Sequence, residues 1–267
     1  MHGLVDSHCH LDAAEFDLDR AAVIAAAARA GVNAMVLPAV ACSNFAAVLA
    51  LSQRYPAVFP AFGIHPLYVN GATPTDLAVL RQMLVDHRPV AVGEIGLDFF
   101  VEGYDLERQT LFFVEQLKLA RELDLPVLLH VRRAQDAVLK CLRRIKVRGG
   151  IAHAFTGSRQ QAESYIDLGF KLGFGGAMTW PRALRIRELA ATLPLAALVL
   201  ETDAPDMAPV WLGHQGRNSP DQLLKMAEVL ADLRGQPLAE IVDATTANVL
   251  AALPGMAQLC TSAQVSL

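Results

Sequence analysis

Short runs of apolar residues alternate along the chain with longer stretches in which apolar positions recur at helical spacing, and the alternation continues almost to the C-terminus. The short runs predict strands over Leu4–Cys9, Ala34–Pro38, Val58–Gly63, Val90–Gly93, Val127–His130, Gly150–His153, Phe170–Gly173 and Leu198–Thr202. The stretches between them predict helices, among them Asp19–Ala30, Asn44–Arg54, Leu106–Leu123 and Ser158–Leu168. Ser158 is placed to cap its helix, because a serine oxygen there satisfies one of the N–H groups that a first turn leaves free. Gly31 and Gly169 fall where helices should stop.

Eight such units in 267 residues match a single (β/α)8 TIM barrel spanning 1–267, whereas a doubly wound sheet more often has fewer strands or a second domain. A last helical stretch, Leu238–Leu250, has no strand after it and is expected to close the barrel floor or pack on its side. No linker, low-complexity tract or short-period repeat interrupts the pattern.

Composition narrows the class further. The 53% hydrophobic and 19% charged content excludes a disordered or fibrous chain. A formal net charge of −4 offers no general attraction for polyanions, so any contact with nucleic acid must be local. The positive mean hydropathy of +0.32 raises the question of a membrane. Yet the most apolar stretch, Ala21 to Leu51, is interrupted by Arg29, Asn33, Pro38 and Asn44, and no segment reaches the ~18 apolar residues of a spanning helix. The N-terminus lacks the basic and long apolar regions of a secretory signal, so a cytoplasmic protein is expected. Cys9, Cys42, Cys141 and Cys260 are scattered without paired spacing and read as reduced thiols.

Metal-competent residues recur at the C-terminal ends of the predicted strands: His8 and His10 after the first, Glu94 after the fourth, His130 after the fifth, His153 after the sixth and Asp203 after the eighth. In a barrel all these ends meet on the face that carries the active site. His8 and His10 are two apart, which on an extended chain points both imidazoles to one side and Cys9 to the other, into the core. Asp6 shares their side and is expected to support the ligands rather than join them. Four imidazoles and two carboxylates suit a pair of divalent ions, zinc by the nitrogens, magnesium or manganese by the carboxylates. His8, His10 and Asp203 are expected to hold one ion and His130 and His153 the other, with the diverging oxygens of Glu94 bridging. Ions ~3.5–4 Å apart clamp the attacking and leaving oxygens of a displacement and acidify a water, which Asp203 orients or deprotonates.

Other residues carry two readings. His65 follows the third strand, where it contacts substrate or holds the tight Gly-Ile-His-Pro turn. Arg132, two positions beyond His130, binds a phosphate oxygen or pairs with a neighbouring carboxylate. Arg143, Arg144, Lys146 and Arg148 read first as a solvated helix end. Trp180 and Trp211, after the seventh and eighth strands, are candidates to stack on a base.

The segments Asp6-Ser7-His8-Cys9-His10-Leu11-Asp12, Gly63-Ile64-His65-Pro66, Gly93-Glu94-Ile95-Gly96-Leu97-Asp98, the Arg108–Ala120 helix with Gln116, Leu125-Pro126-Val127 with His130 and Arg132, His153-Ala154-Phe155-Thr156-Gly157 and Glu201-Thr202-Asp203-Ala204-Pro205 together resemble the TatD family of metal-dependent hydrolases. Gly169–Pro181 and Leu193–Met207 look most similar to its YjjV-type branch. The resemblance implies a TIM barrel of the amidohydrolase superfamily, two divalent ions on the six residues above, and hydrolysis of phosphodiesters, typically trimming of DNA 3′ ends. Single-stranded DNA ends or short oligonucleotides are the expected substrates, with no membrane partner and a monomeric chain. The sequence departs from the family pattern after Asp-Ala-Pro, where Met207–Pro220 carries only Arg217 and His214 in place of a longer basic segment. A barrel metal site does not by itself select phosphorus over carbon. A deacylase or amidohydrolase, and a metal-binding barrel without turnover, are therefore the alternatives.

Overall fold

The computed structural model describes residues 3–257, so Cys260 lies outside the described residues. Eight parallel strands follow in chain order: β1 (Leu4–Asp6), β2 (Val32–Pro38), β3 (Val58–Phe62), β4 (Ala91–Asp98), β5 (Val127–Arg132), β6 (Gly150–Ala152), β7 (Phe170–Phe174) and β8 (Leu198–Leu200). Each pairs with the next. Beyond the last ladder, Ser7 N–H donates to the Leu200 carbonyl at 3.0 Å and Asp203 N–H to that of His8 at 2.9 Å, drawing β8 back to β1. The result is a nearly closed (β/α)8 barrel, as the alternating pattern predicts. The helices are α1 (Arg20–Arg29), α2 (Phe45–Arg54), α3 (Pro74–His87), α4 (Leu106–Glu122), α5 (Gln135–Arg144), α6 (Arg159–Asp167), α7 (Leu184–Thr192), α8 (Leu223–Arg234) and α9 (Leu238–Ala252). Ser158 caps α6 by accepting from Gln161 N–H at 3.2 Å. Among the described residues no helix is long and apolar enough to cross a membrane.

Strand alternation divides the apolar residues into two layers. One set, including Leu4, Met35, Leu37, Val92, Ile95, Val127 and Leu129, packs outward against the helices. The other, including Val5, Val36, Phe59, Ala61, Leu128, Ile151 and Val199, fills the barrel interior. Val249, Ala252, Leu253 and Met256 pack on that inner set, so α9 closes the floor of the barrel. Asn248, beside them, donates from Nδ2 to the carbonyls of Leu195 at 2.8 Å and Leu198 at 2.7 Å, tying α9 to the start of β8.

The strand ends differ from the sequence expectation in an informative way. The ladders of β1, β6 and β8 stop before their polar ends, because those residues leave the sheet to face the barrel mouth. β4 instead runs past Gly93 to Asp98. Its register against β5 shifts between Val92 and Ile95, and Glu94 sits in that irregularity. Strict alternation from inward Ala91 would send Glu94 out to the helices; the shift turns it into the barrel. Gly96, at φ 154°, lets the strand pass where a Cβ would overlap the His130 carbonyl.

Leu253→Ala should leave a cavity under the barrel and lower unfolding stability by about 2–5 kcal/mol in thermal or urea denaturation. Leu18→Ala, at a side chain 102% exposed, should leave the midpoint where it is.

Candidate metal centre

The inner layer that is apolar at the floor becomes polar at the mouth. There His8, His10, His65, Glu94, His130, His153 and Asp203 come together, all six sequence-predicted ligands among them. Glu94 is their centre, 2% exposed, and its two oxygens face different neighbours. Oε2 lies 3.2 Å from His8 Nε2 and 3.5 Å from His10 Nε2. Oε1 lies 3.1 Å from His130 Nδ1, 3.7 Å from His65 Nε2 and 3.9 Å from His153 Nε2. Asp203 spans the same gap from above. Its Oδ1 is 3.8 and 3.7 Å from Nε2 of His8 and His10, and its Oδ2 is 3.8 Å from His153 Nε2.

Three triads have donor atoms within 4.8 Å of one another: His8, His10 and Asp203; His8, Glu94 and His153; and His65, Glu94 and His130. Hydrogen bonding separates ligand-competent nitrogens from the rest. His130 Nε2 is 3.0 Å from Asp98 Oδ2, which holds a proton on Nε2 and makes Nδ1, now donating to Glu94 Oε1 at 3.1 Å, the nitrogen that loss of its proton would free for a metal. His153 Nδ1 is 3.2 Å from Glu201 Oε1, which turns the Nε2 lone pair inward. His8 Nε2 and His10 Nε2 face each other at 3.3 Å with Glu94 and Asp203 around them. Lone pairs and carboxylate oxygens thus converge without a Lys or Arg between them, a donor set that fits divalent cations. His65 differs. Its Nδ1 accepts from Leu67 N–H at 3.1 Å, so Nε2 carries the hydrogen and presents a donor to the cavity.

The charges follow the same division. Burial opposes charge at His10, but hydrogen bonding and attraction to Glu94, aided by Asp203, carry its pKa up to about 9. Burial likewise opposes charge at His153, where attraction to Asp203 and Glu201 prevails and lifts the pKa to about 10. Burial would raise Glu94, yet the ring of imidazoles around it, through the hydrogen bonds from His10 and His130, holds it well below the carboxylate range. His65 is pushed down to about 3 by burial and is neutral.

Two supporting carboxylates went unassigned in the sequence reading. Asp98 holds His130 and also accepts from the N–H groups of Phe100 at 2.8 Å and Val101 at 3.1 Å. Glu201 holds His153, accepts from Ala154 N–H at 2.5 Å and lies in space that only Gly173 leaves free. Each is a buried acid at the end of an apolar run, and that pairing was the available signal. Gln116 of α4 was noted without a role; its amide accepts from Ile64 N–H at 2.7 Å and donates to the Ile64 carbonyl at 3.0 Å, fixing the turn that carries His65. Asp6 acts on backbone rather than on an imidazole. It accepts from His8 N–H, Thr202 N–H and the Thr202 hydroxyl, joining the ends of β1 and β8.

Arg132 lines the same cavity, of about 570 Å³, as His10, His65, Glu94, His130, His153 and Asp203. Its guanidinium lies 3.8 Å over the Phe100 ring, with no carboxylate partner among the described residues. Cys9 is fully buried in the core, as expected. Arg148 pairs with Asp124 at 2.9 Å below the barrel, in line with a solvated helix end. Trp211 packs on the core and donates to Gln222 at 2.9 Å. Trp180 donates to the Ala208 carbonyl and already stacks on His214 at 3.8 Å. Arg217, the other basic residue of its segment, is paired with Asp19 at 2.7 Å.

The model of the TatD related DNase family matches residues 5–254. The Escherichia coli (strain K12) protein YjjV, described as an uncharacterized metal-dependent hydrolase, is 46% identical over 249 residues, covering 91% of this chain and 95% of that protein. Human deoxyribonuclease TATDN3 is 33% identical, covering 96% and 97%. The crystal structure of YjjV superposes with a TM-score of 0.90 at 44% identity, covering 94% of this chain and 98% of that one. A TatD family protein from Entamoeba histolytica shares the fold at 18% identity, with a TM-score of 0.85.

A ligand imidazole must be neutral, whereas His10 and His153 sit at about 9 and about 10 and are charged at pH 7.5 before metal arrives. Metal uptake should therefore release about two protons per chain, and affinity should rise between pH 6 and 8. Titration calorimetry of chelator-stripped protein with Zn²⁺ or Mn²⁺ in buffers of unlike ionisation enthalpy reads this directly. Heats independent of the buffer would contradict it.

Proposed function

The chain belongs to the TatD family of metal-dependent hydrolases, and we propose that within it this protein cleaves phosphodiester bonds, in single-stranded DNA 3′ ends or short oligonucleotides, with two divalent ions. The observation that carries this reading is the division of Glu94, one oxygen toward His8 and His10 and the other toward His130 and His153, in a cavity walled by the uncompensated Arg132. The name of the human relative, a deoxyribonuclease, supports the same substrate class. His8, His10 and Asp203 would hold one ion and His130 and His153 the other, with Glu94 shared between them. Zinc, magnesium and manganese are the candidates. Bound there, such ions neutralise developing phosphoryl charge and make water acidic enough to attack near neutral pH.

The protein's own groups do the rest. Arg132 holds a non-bridging phosphate oxygen through paired N–H donors, its plane kept by the Phe100 ring beneath it. Neutral His65 donates from Nε2 toward Glu94 Oε1 and the substrate beside it. Asp203, 14% exposed and facing the cavity, takes the proton of the attacking water. The water oxygen bonds to phosphorus as the bond to the leaving oxygen breaks, and that oxygen is protonated from solvent. Asp98 and Glu201 keep His130 and His153 in the tautomers that face inward. All six ligands come from one barrel, so the site needs no residue from a second copy, which supports the reading of a monomer and of one domain over 1–267.

The test is stepwise shortening of 3′-labelled single-stranded DNA by protein reconstituted with Mg²⁺, Mn²⁺ or Zn²⁺, beside a chromogenic acyl ester. Asp203→Ala and His153→Ala should each lose about 10²–10⁴-fold in turnover while keeping the circular dichroism of the folded barrel. Activity retained in both variants, or cleavage of the ester alone, would overturn the reading.

A further inference from the structure

A second cavity, of about 470 Å³, opens beside the first and shares Thr156 with it. Its walls come from the segments after β4, β5 and β6 and from α7, and include Phe99, Arg133, Gln135, Thr156 and Arg185. Consecutive arginines connect the two spaces: Arg132 lines the metal cavity and Arg133 lines its neighbour. Both guanidinium groups approach one aromatic ring, that of Phe100, at 3.8 and 4.5 Å. Phe100 is held in turn by the bond from its N–H to Asp98, the residue that holds His130.

Two like charges against one ring repel unless an anion lies between or beside them. Among the described residues neither arginine has a carboxylate partner, and Arg185 across the cavity has none either. The single acid lining this space, Asp136, accepts from Gln161 Nε2 at 2.8 Å and keeps its charge, against the two cations Arg133 and Arg185. Arg133 adopts a left-handed φ of 54°, uncommon for a side-chain-bearing residue, immediately after β5. The first turn of α5, whose cap residue Ala134 offers no side-chain acceptor, lines the same space and leaves its N–H groups to whatever enters. Phe99 supplies an apolar wall.

We propose that this cavity is a subsite for the nucleotide next to the scissile phosphodiester, with Arg133 and Arg185 holding the neighbouring phosphate and Phe99 offering a face to its base. The inference rests on the phosphodiesterase reading above. It assigns a substrate class, a single strand long enough to reach from the metal cavity into the second one. Duplex is disfavoured, because base stacking in this space needs an unpaired base. The local cation set also answers the acidic net charge of the chain: grip on a polyanion comes from a short arginine ladder and not from a basic surface.

Metal-loaded protein is titrated with a fluorescent phosphorothioate thymidine decamer that resists hydrolysis, and kinetics are run on the ordinary decamer and on a chromogenic single phosphodiester. In Arg133→Gln/Arg185→Gln, decamer affinity should fall at least tenfold. The slope of log K against log salt should flatten by ~0.7, the value for one lost phosphate contact on single strands. KM for the decamer should rise more than kcat falls, and the ratio of kcat/KM for decamer over small diester should drop tenfold or more. Arg185→Lys should restore part of the affinity, and Arg144→Gln, below the barrel, should change nothing. Unchanged decamer affinity and salt slope in the double variant would overturn the subsite. Loss of affinity without hydrolysis of either phosphodiester by the parent protein would overturn the phosphodiesterase reading, and with it the subsite's place beside a scissile bond, and leave only single-strand binding by these arginines.

Discussion

The constraint on which this site depends is a carboxylate buried in the mouth of the barrel among imidazoles. Glu94, at 2% exposure, is cut off from the water that would solvate its charge, a position costing several kcal/mol unless positive charge or hydrogen bonds answer it. Without ions, protons on His10 and His153 supply that answer, at the expense of the lone pairs that ligation requires. Protons and metals therefore compete for the same cage. The barrel makes the arrangement possible by bringing the ends of distant strands to one face, and the register shift in β4 turns the carboxylate toward them.

Around this centre, each element that carries a ligand is held by another element. α4 contributes twice, Gln109 accepting from Asp98 N–H at 2.9 Å and Gln116 bracketing Ile64. Asp6 and Thr202 join the ends of β1 and β8, so that His8 and Asp203 move as one piece. Asp98 has the widest reach, since it orients His130 with one oxygen and fixes the Phe100 loop with the other. The same carboxylate thus connects the metal cavity to the pair of arginines over Phe100. The floor is the converse case, where α9 supplies aliphatic side chains and the inner layer needs nothing polar.

Much of this was legible beforehand because the barrel gives strand ends a common address. His8, His10, Glu94, His130, His153 and Asp203 follow apolar runs, and each such run fixes where its following polar residue must lie. Periodicity was less informative where alternation breaks. Glu94 ends an apolar run by its charge, yet the strand continues four residues further on the strength of Gly96 and the shifted register. Asp98 and Glu201 were missed for a related reason: their function is to face a histidine from another strand, and no spacing along one chain segment encodes that meeting. His65 carries two readings because its ring has two sides, with Nδ1 held in the turn and Nε2 turned into the cavity.

The proposed sharing of Glu94 between two ions is read in the metal content of the folded protein after equilibration with Mn²⁺ or Zn²⁺ and removal of free metal. The parent protein should hold about two ions per chain. His130→Ala should hold about one, and Glu94→Gln should bind more weakly at both positions. One ion in the parent, or two retained at parental affinity in Glu94→Gln, would contradict it.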